Sequence, residues 1–453
     1  MKKFKGVQGI AASLLLVSVV TACGSNSSNG EAGGSSPSAS EASGGSGSAS
    51  ASGKEVKITL LNSKGEIQTQ LEDAVKAFHE DNPNITLEIQ TVPAGGSPFE
   101  RASTLYASGN PPTMIMLDTG DVEKFKDRIL DLSGEKWMAD TVPNATDLTT
   151  YDGKNYAFPL AIEGYGFIYN KAVLDQAVGG SFDPSAITTT TALENLFKQI
   201  EASGKKALVI SPMDWSLGAH YLPLAYAGQS KDSAEVDKFV ESLKAGTADL
   251  ANNKVFNGLM DTFDVMMKYN LDQKDPLSGV YERGPEVLGK GEVGIWFMGN
   301  WAWPQISGFD TAGGQYGFLP VPISNNPDDY GNQEISSAVS KRIVLDKEKS
   351  SPEQQEAAKK FLNWIVYEQK GQDFLVNKAN IIPAFKNITL PAADPLGKSI
   401  QDYIARGKSE PSMSLLPADH WSKVGASMQK YLAKQGDRAS LAKEIEEYWK
   451  SVK

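Results

Sequence analysis

Apolar and polar positions switch between two periods along residues 56–128, and the switching predicts alternating strands and helices. Val56-Lys57-Ile58-Thr59-Leu60-Leu61 is an apolar run of strand length. Ile67, Leu71, Val75 and Phe78 then recur at spacings of four, four and three, the stripe of an amphipathic helix. Asp81-Asn82-Pro83-Asn84 ends that helix. Ile85 to Val92 alternates as a second strand, Pro98 to Ser108 reads as a helix closed by Gly109, and Thr113 to Leu117 is a short third strand. Asp121 to Asp127 begins a further helix. A β-α-β-α-β order of this kind predicts the α/β class, with a parallel sheet wrapped by helices. Ligands of such sheets sit beyond the carboxyl ends of the strands, which sets Asn62-Ser63-Lys64 and Asp118-Thr119-Gly120-Asp121 on one cleft edge.

The pattern continues less regularly. Tyr151-Asp152-Gly153-Lys154 reads as a turn, and Tyr156 to Tyr169 as a strand broken at Pro159, Gly164 and Gly166. Helical stripes cover 191–202, 233–244 and 254–268, with a strand at Ala207 to Ile210. Pro352 opens a helix with Ala358, Phe361, Leu362 and Ile365 on one face. Trp421 to Leu432 and Leu441 to Trp449 are helical too.

The amino-terminal segment follows a different logic. Lys2, Lys3 and Lys5 precede the apolar run Ile10 to Val20, which is too short to span a bilayer. Val20-Thr21-Ala22-Cys23 matches a lipobox, so residues 1–22 are expected to be a lipoprotein signal peptide and Cys23 the lipidated residue. Cys23 is the only cysteine, which rules out an internal disulfide and a multi-thiolate zinc site. Residues 23–53 are nearly all Gly, Ser, Ala, Asn and Glu, a composition that buries no apolar surface and reads as a tether. The expected setting is an exported body, lipid-anchored to the outer face of the bacterial cytoplasmic membrane. The net charge of −11 argues against nucleic acid as a partner. The length beyond residue 53 predicts two domains.

The densest candidate chemistry is Gly291 to Pro304, GEVGIWFMGNWAWP, which holds Trp296, Trp301 and Trp303. Indole rings are flat, and sugar rings stack their C–H faces on such platforms while polar neighbours take the hydroxyls. Trp296, between Ile295 and Phe297, reads as core; Trp301, beside Asn300, reads as a ligand contact. Other motifs fail. Gly284 to Gly291 lacks the hydroxyl that ends a P-loop and precedes a strand instead of following one. His79, His220 and His420 show no metal-site spacing; His79 reads as surface, and the other two as ligand donors or packing. No GxSxG elbow is present, and 324–329 lacks the spacing of a calcium loop. No cofactor, metal or catalytic residue is therefore expected.

Five pieces in order carry a family resemblance. Tyr151 to Pro159 resembles a "dGK-Y-P" signature, Ile168-Tyr169-Asn170-Lys171 a "YNK" signature, and Gly291 to Trp303 a "G-aAM-G-W" signature; Leu319-Pro320-Val321-Pro322 and the 352–370 helix follow. The chain resembles the carbohydrate-type extracellular solute-binding lipoproteins of ABC importers, the maltose-binding protein family. The resemblance implies two α/β lobes with a hinge and an interlobe cleft, lobe 1 being 54–162 plus 320–377 and lobe 2 being 163–319 plus 378–453. It sets crossings near Ala161 to Tyr165, Phe318 to Pro322 and Asn377 to Pro383. It implies that Trp301 and Trp421 stack on sugar rings, Trp421 otherwise packing beneath its own helix. Glu163 faces the ligand or makes a structural hydrogen bond at the first crossing. Asn62, Lys64 and Asp118 supply polar groups from one lobe, and Asp214 and Trp215 a polar group and a platform from the other. The implied protein is a monomeric, non-enzymatic carrier that hands an oligosaccharide to a membrane permease. The alternatives are the same fold holding a non-sugar solute, and an anchored enzyme acting on glycans.

Overall fold

The structure, a computed structural model, describes residues 54–93, 96–411, 416–417 and 419–452. The expected signal peptide, Cys23 and the expected tether lie outside the described residues. Eleven strands are described: β1 (Val56–Asn62), β2 (Ile85–Thr91), β3 (Met114–Asp118), β4 (Thr150–Tyr151), β5 (Lys154–Asn155), β6 (Phe158–Asn170), β7 (Lys206–Val209), β8 (Val293–Gly299), β9 (Tyr316–Leu319), β10 (Ile335–Leu345) and β11 (Ser409–Pro411). Nine of them share one hydrogen-bonded network in the order β2-β1-β3-β10-β6-β8-β7, with β11 on β10 and β9 on β6. β1 pairs in parallel with β2 and β3, as the opening rhythm predicts. β10 and β6 are antiparallel to their neighbours along the main path.

The apolar interior is divided along these two strands. One core gathers Ile58, Phe78, Met114, Phe158, Ile343 and Phe361. Another gathers Phe167, Phe197, Leu208, Phe263, Met428 and Trp449. β6 runs from the first, through Phe158 and Leu160, into the second at Tyr165 and Phe167. β10 returns: Ile335 packs on the β8 side, beside Trp296 and Met298, and Ile343 and Leu345 pack in the first core. A third passage falls between Ile381, in the first core, and Ile382, which bridges to Ile162. Val321 and Ile323 pack entirely with the second core. The result is a two-lobed α/β fold.

Two local expectations are corrected. Residues 158–170 form one unbroken strand despite Pro159, Gly164 and Gly166. The two glycines serve close approach: a Cβ on Gly164 would lie 2.6 Å from the Ile400 side chain, and one on Gly166 would lie 2.7 Å from the Leu319 carbonyl oxygen. The α-helix expected from Asp121 is a run of 3₁₀ turns, Thr119–Arg128. Its buried Val122 and Phe125 are three residues apart, the period of that tighter helix. The turn at 151–154 is as expected: Asp152 and Gly153 both take positive φ, 53° and 74°, which suits a two-residue hairpin between β4 and β5.

Candidate functional site

The carboxyl ends of β1 and β3 and the middle of β6 and β10 converge on a cleft of about 620 Å³. Of the candidates named from sequence, Lys64, Asp118, Glu163, Trp215, Trp301 and Trp421 line it. Asn62 and Asp214 do not line it. The Asn62 side chain is fully buried, and its amide is used locally. Its Nδ2 donates to the Lys64 carbonyl at 3.0 Å and to Gln68 at 2.9 Å, and its Oδ1 accepts from the Lys64 amide at 2.9 Å. Asn62 thus fixes the turn that presents Lys64. The Asp214 carboxylate accepts from the Trp215 amide at 2.8 Å and holds the turn that presents that indole.

Charge is concentrated on one wall. Lys64 Nζ lies 2.5 Å from Glu163 Oε1 and 2.6 Å from Glu66 Oε1. Ser340 Oγ donates to the other Glu163 oxygen. Lys341 Nζ lies 2.5 Å from Asp118 Oδ1. Burial alone would push the Glu163 carboxyl up, but Lys64 and Lys341 beside it and the bonds from Lys64 and Ser340 outweigh burial, holding it below the usual range. Burial likewise opposes the charge on Lys64, and Glu163 and Glu66 raise its pKa well above the ordinary value. Both groups are therefore ionised across neutral pH.

Aromatic rings line the same cleft. Trp301 follows Gly299, the last residue of β8, and lies across that glycine: a Cβ there would fall 2.0 Å from the indole. Its ring centroid is 5.0 Å from His220 and 6.5 Å from Tyr165. Trp215 lies 5.6 Å from His220 and 5.7 Å from Tyr281. Tyr281 donates its hydroxyl to Gln305 at 2.7 Å. Burial depresses the His220 pKa to about 4, against the pull of Glu163 and Asp118, so the imidazole is neutral. Trp296 is core, as its neighbours suggest, with its N–H donated to Ser211 at 2.9 Å. Trp303 packs edge-on against Tyr316 at 5.4 Å. His420 is buried away from the cleft, 3.2 Å from the Tyr226 hydroxyl.

Trp215, His220 and Trp421 are held in register by two helical pieces that touch through glycine. The π-helical turn Ser216–Tyr221 packs on the helix His420–Leu432. A Cβ on Gly218 would fall 2.3 Å from the Trp421 carbonyl oxygen, and one on Gly425 2.4 Å from that of Asp214. Backbone meets backbone, so neither partner has a side chain that can swing aside. Gly218→Ala is expected to destabilise the protein by about 1–3 kcal/mol, read as a lower urea midpoint at unchanged slope. Gly134→Ala, where a Cβ meets open space, is the control.

Tyr165, His220, Tyr281 and Gln305 also line the cleft and were not singled out as site residues from sequence. His220 alone drew notice, and its isolation gave no spacing to read. The signal for Tyr165 was its place two residues past Glu163 on the same face of β6.

Similarity to known proteins agrees with this architecture. A family model described as bacterial extracellular solute-binding protein matches residues 73–405. Among solved structures, a solute-binding protein RafE in complex with raffinose superposes with a TM-score of 0.74 at 17% identity, covering 87% of this chain and 99% of the other. RafE from Streptococcus pneumoniae in its apo form gives 0.66 at 17% identity, covering 88% and 98%. Maltose-bound T. maritima MalE3 gives 0.68 at 20% identity, covering 87% and 99%. At such identities the superpositions speak for the two-lobed fold, and the family model covers well over half of the sequence. The chain belongs to the bacterial extracellular solute-binding protein family.

Proposed function

We propose that this protein is the substrate-binding component of an ABC importer and captures an oligosaccharide between its lobes for delivery to a membrane permease. The observation that carries the reading is the shape of the cleft: Trp215, Trp301 and Trp421 line one cavity with Lys64, Asp118 and Glu163. Flat rings offer stacking surfaces, and charged or amide groups read hydroxyls. A volume of about 620 Å³ suits a short oligosaccharide, being within the usual range of small-molecule sites. RafE and MalE3, which share the fold, are described with raffinose and maltose bound.

The packing of the two cores supports lobes that change at β6, at β10 and near residue 381. That reading moves the second crossing from Phe318–Pro322 to β10, because Val321 and Ile323 sit in the second core. Three strand-like passages form the hinge, and closure about them would bring the charged and aromatic walls together. The protein acts by binding and not by catalysis. Cys23 carries the lipid that holds the monomer at the outer face of the membrane.

A thermal-shift screen of the purified protein against mono- and oligosaccharides of varied linkage tests the reading, with iron chelates and polyamines as controls. A ligand specific to the folded form raises the melting temperature with concentration. One oligosaccharide series should do so. A shift from a control solute alongside flat responses to every sugar would sink the carbohydrate assignment.

A further inference from the structure

The charge inventory of the cleft says more about its ligand. Five carboxylates line it, on Glu66, Asp118, Asp121, Glu163 and Glu282, against two ammonium groups, on Lys64 and Lys341. No arginine lines it among the described residues. Residues 94–95, 412–415 and 418 are Ala, Gly, Ser, Met, Ser, Leu and Ala, and add no charge.

Both lysines are already paired with carboxylates. Lys64 is fully buried and is shared between Glu163 and Glu66, at 2.5 and 2.6 Å. Lys341 is held by Asp118 at 2.5 Å. His220, the remaining group that could become cationic, is kept neutral by burial. An anionic ligand would therefore have to enter a cleft of surplus negative charge, strip the buried Lys64 from its two carboxylates, or compete with Asp118 for the partly exposed Lys341. Like charges placed together at an interface are unfavourable, a broken buried pair leaves an uncompensated charge, and Lys341 alone leaves the surplus in place.

We infer that this cleft is built against anions: it takes glycans without acidic groups and excludes those bearing uronate, sulfate or phosphate. The inference rests on the carbohydrate reading above and deepens it. The discrimination is electrostatic rather than steric. Asp121 contributes to it from the cleft lining, where it is buried, with Lys124 at 3.2 Å and Lys341 as the cations acting on it.

The test is a pair of calorimetric titrations at neutral pH and low salt. One uses a neutral oligosaccharide that shifts the melting temperature; the other uses the chain of the same linkage and length with one hexose oxidised to its uronate. The uronate should bind at least about a hundredfold more weakly. The ratio of the two dissociation constants should fall severalfold in Asp121→Asn and fall again at high salt, because screening weakens partly exposed charges. Equal affinities, or tighter uronate binding, overturn the inference while leaving the carbohydrate reading intact. A ratio unmoved by both Asp121→Asn and salt makes the exclusion steric and also overturns it. Failure of every glycan, neutral or charged, overturns the parent reading and this inference with it.

Discussion

Trp301→Ala is expected to weaken oligosaccharide binding at least about thirtyfold, the loss that marks a binding hot spot. The indole is only partly buried, touches two apolar clusters, and is fixed by Gly299, whose lack of a side chain lets the ring lie flat across the backbone. It is thus a preformed platform, and little freedom is lost when a sugar settles on it. Truncation also removes ring contacts to His220 and Tyr165. Trp301→Phe should recover part of the affinity, since it restores a flat face of smaller area. Calorimetric Kd values and ligand-free melting temperatures separate the effects: Kd should move far more than the melting temperature. A variant that unfolds readily but binds normally when folded would assign Trp301 to packing alone.

The second large effect is expected at Lys64→Met. Removing the ammonium leaves Glu163 and Glu66 without their shared partner in a buried wall. Breaking a buried pair from one side typically costs about 3–5 kcal/mol, and Lys341 nearby places this site toward the lower end. The pH dependence gives the account a second handle. Glu163 titrates below its ordinary value of 4.5 in the folded protein, so it contributes stability present above that pH and lost as pH falls through its folded pKa. Lys64→Met should raise the Glu163 pKa, erase that contribution and flatten or invert the acid limb. Adding Glu163→Gln to Lys64→Met should restore stability by removing the stranded charge. Urea titrations from pH 3 to pH 8 on wild type and the two variants read this out, and equal stability of Lys64→Met and wild type at neutral pH would contradict it.

The opening of the fold, β1 to β3 with their two helices, was legible because its elements obey single periods. β1 to β3 and their helices are amphipathic or fully apolar, and Pro83, Gly109 and the Ser97-Pro98 start punctuate them. β10 was not legible. Its run Ile335–Leu345 contains Ser336, Ser337, Ser340, Lys341 and Arg342, and looks like a solvated loop. Those groups are satisfied only in three dimensions: Arg342 Nε donates to Thr119 at 3.0 Å, Lys341 meets Asp118, and Ser340 meets Glu163. The glycines of β6 misled for a related reason, since their lack of a side chain answers neighbours more than 150 residues away.

The candidate site divides in the same way. Trp301, Trp421, Trp215, Glu163, Asp118 and Lys64 were named from sequence and line one cleft. Asn62 and Asp214 came from the right turns, but their side chains bond locally, and local bonding of Asn and Asp at turns is what those residues commonly do. His220 was read from sequence as a ligand donor or packing, with no spacing to decide, and Tyr281 gave no signal because its partner Trp215 lies far along the chain.

The most direct measurement is a crystal structure of the protein with the oligosaccharide that most raises its melting temperature. Sugar rings are expected on the faces of Trp301 and Trp421, with hydroxyls within hydrogen-bonding reach of Lys64, Asp118 and Glu163. Sugar bound outside this cleft, or inside it without contact to either indole, would contradict that placement.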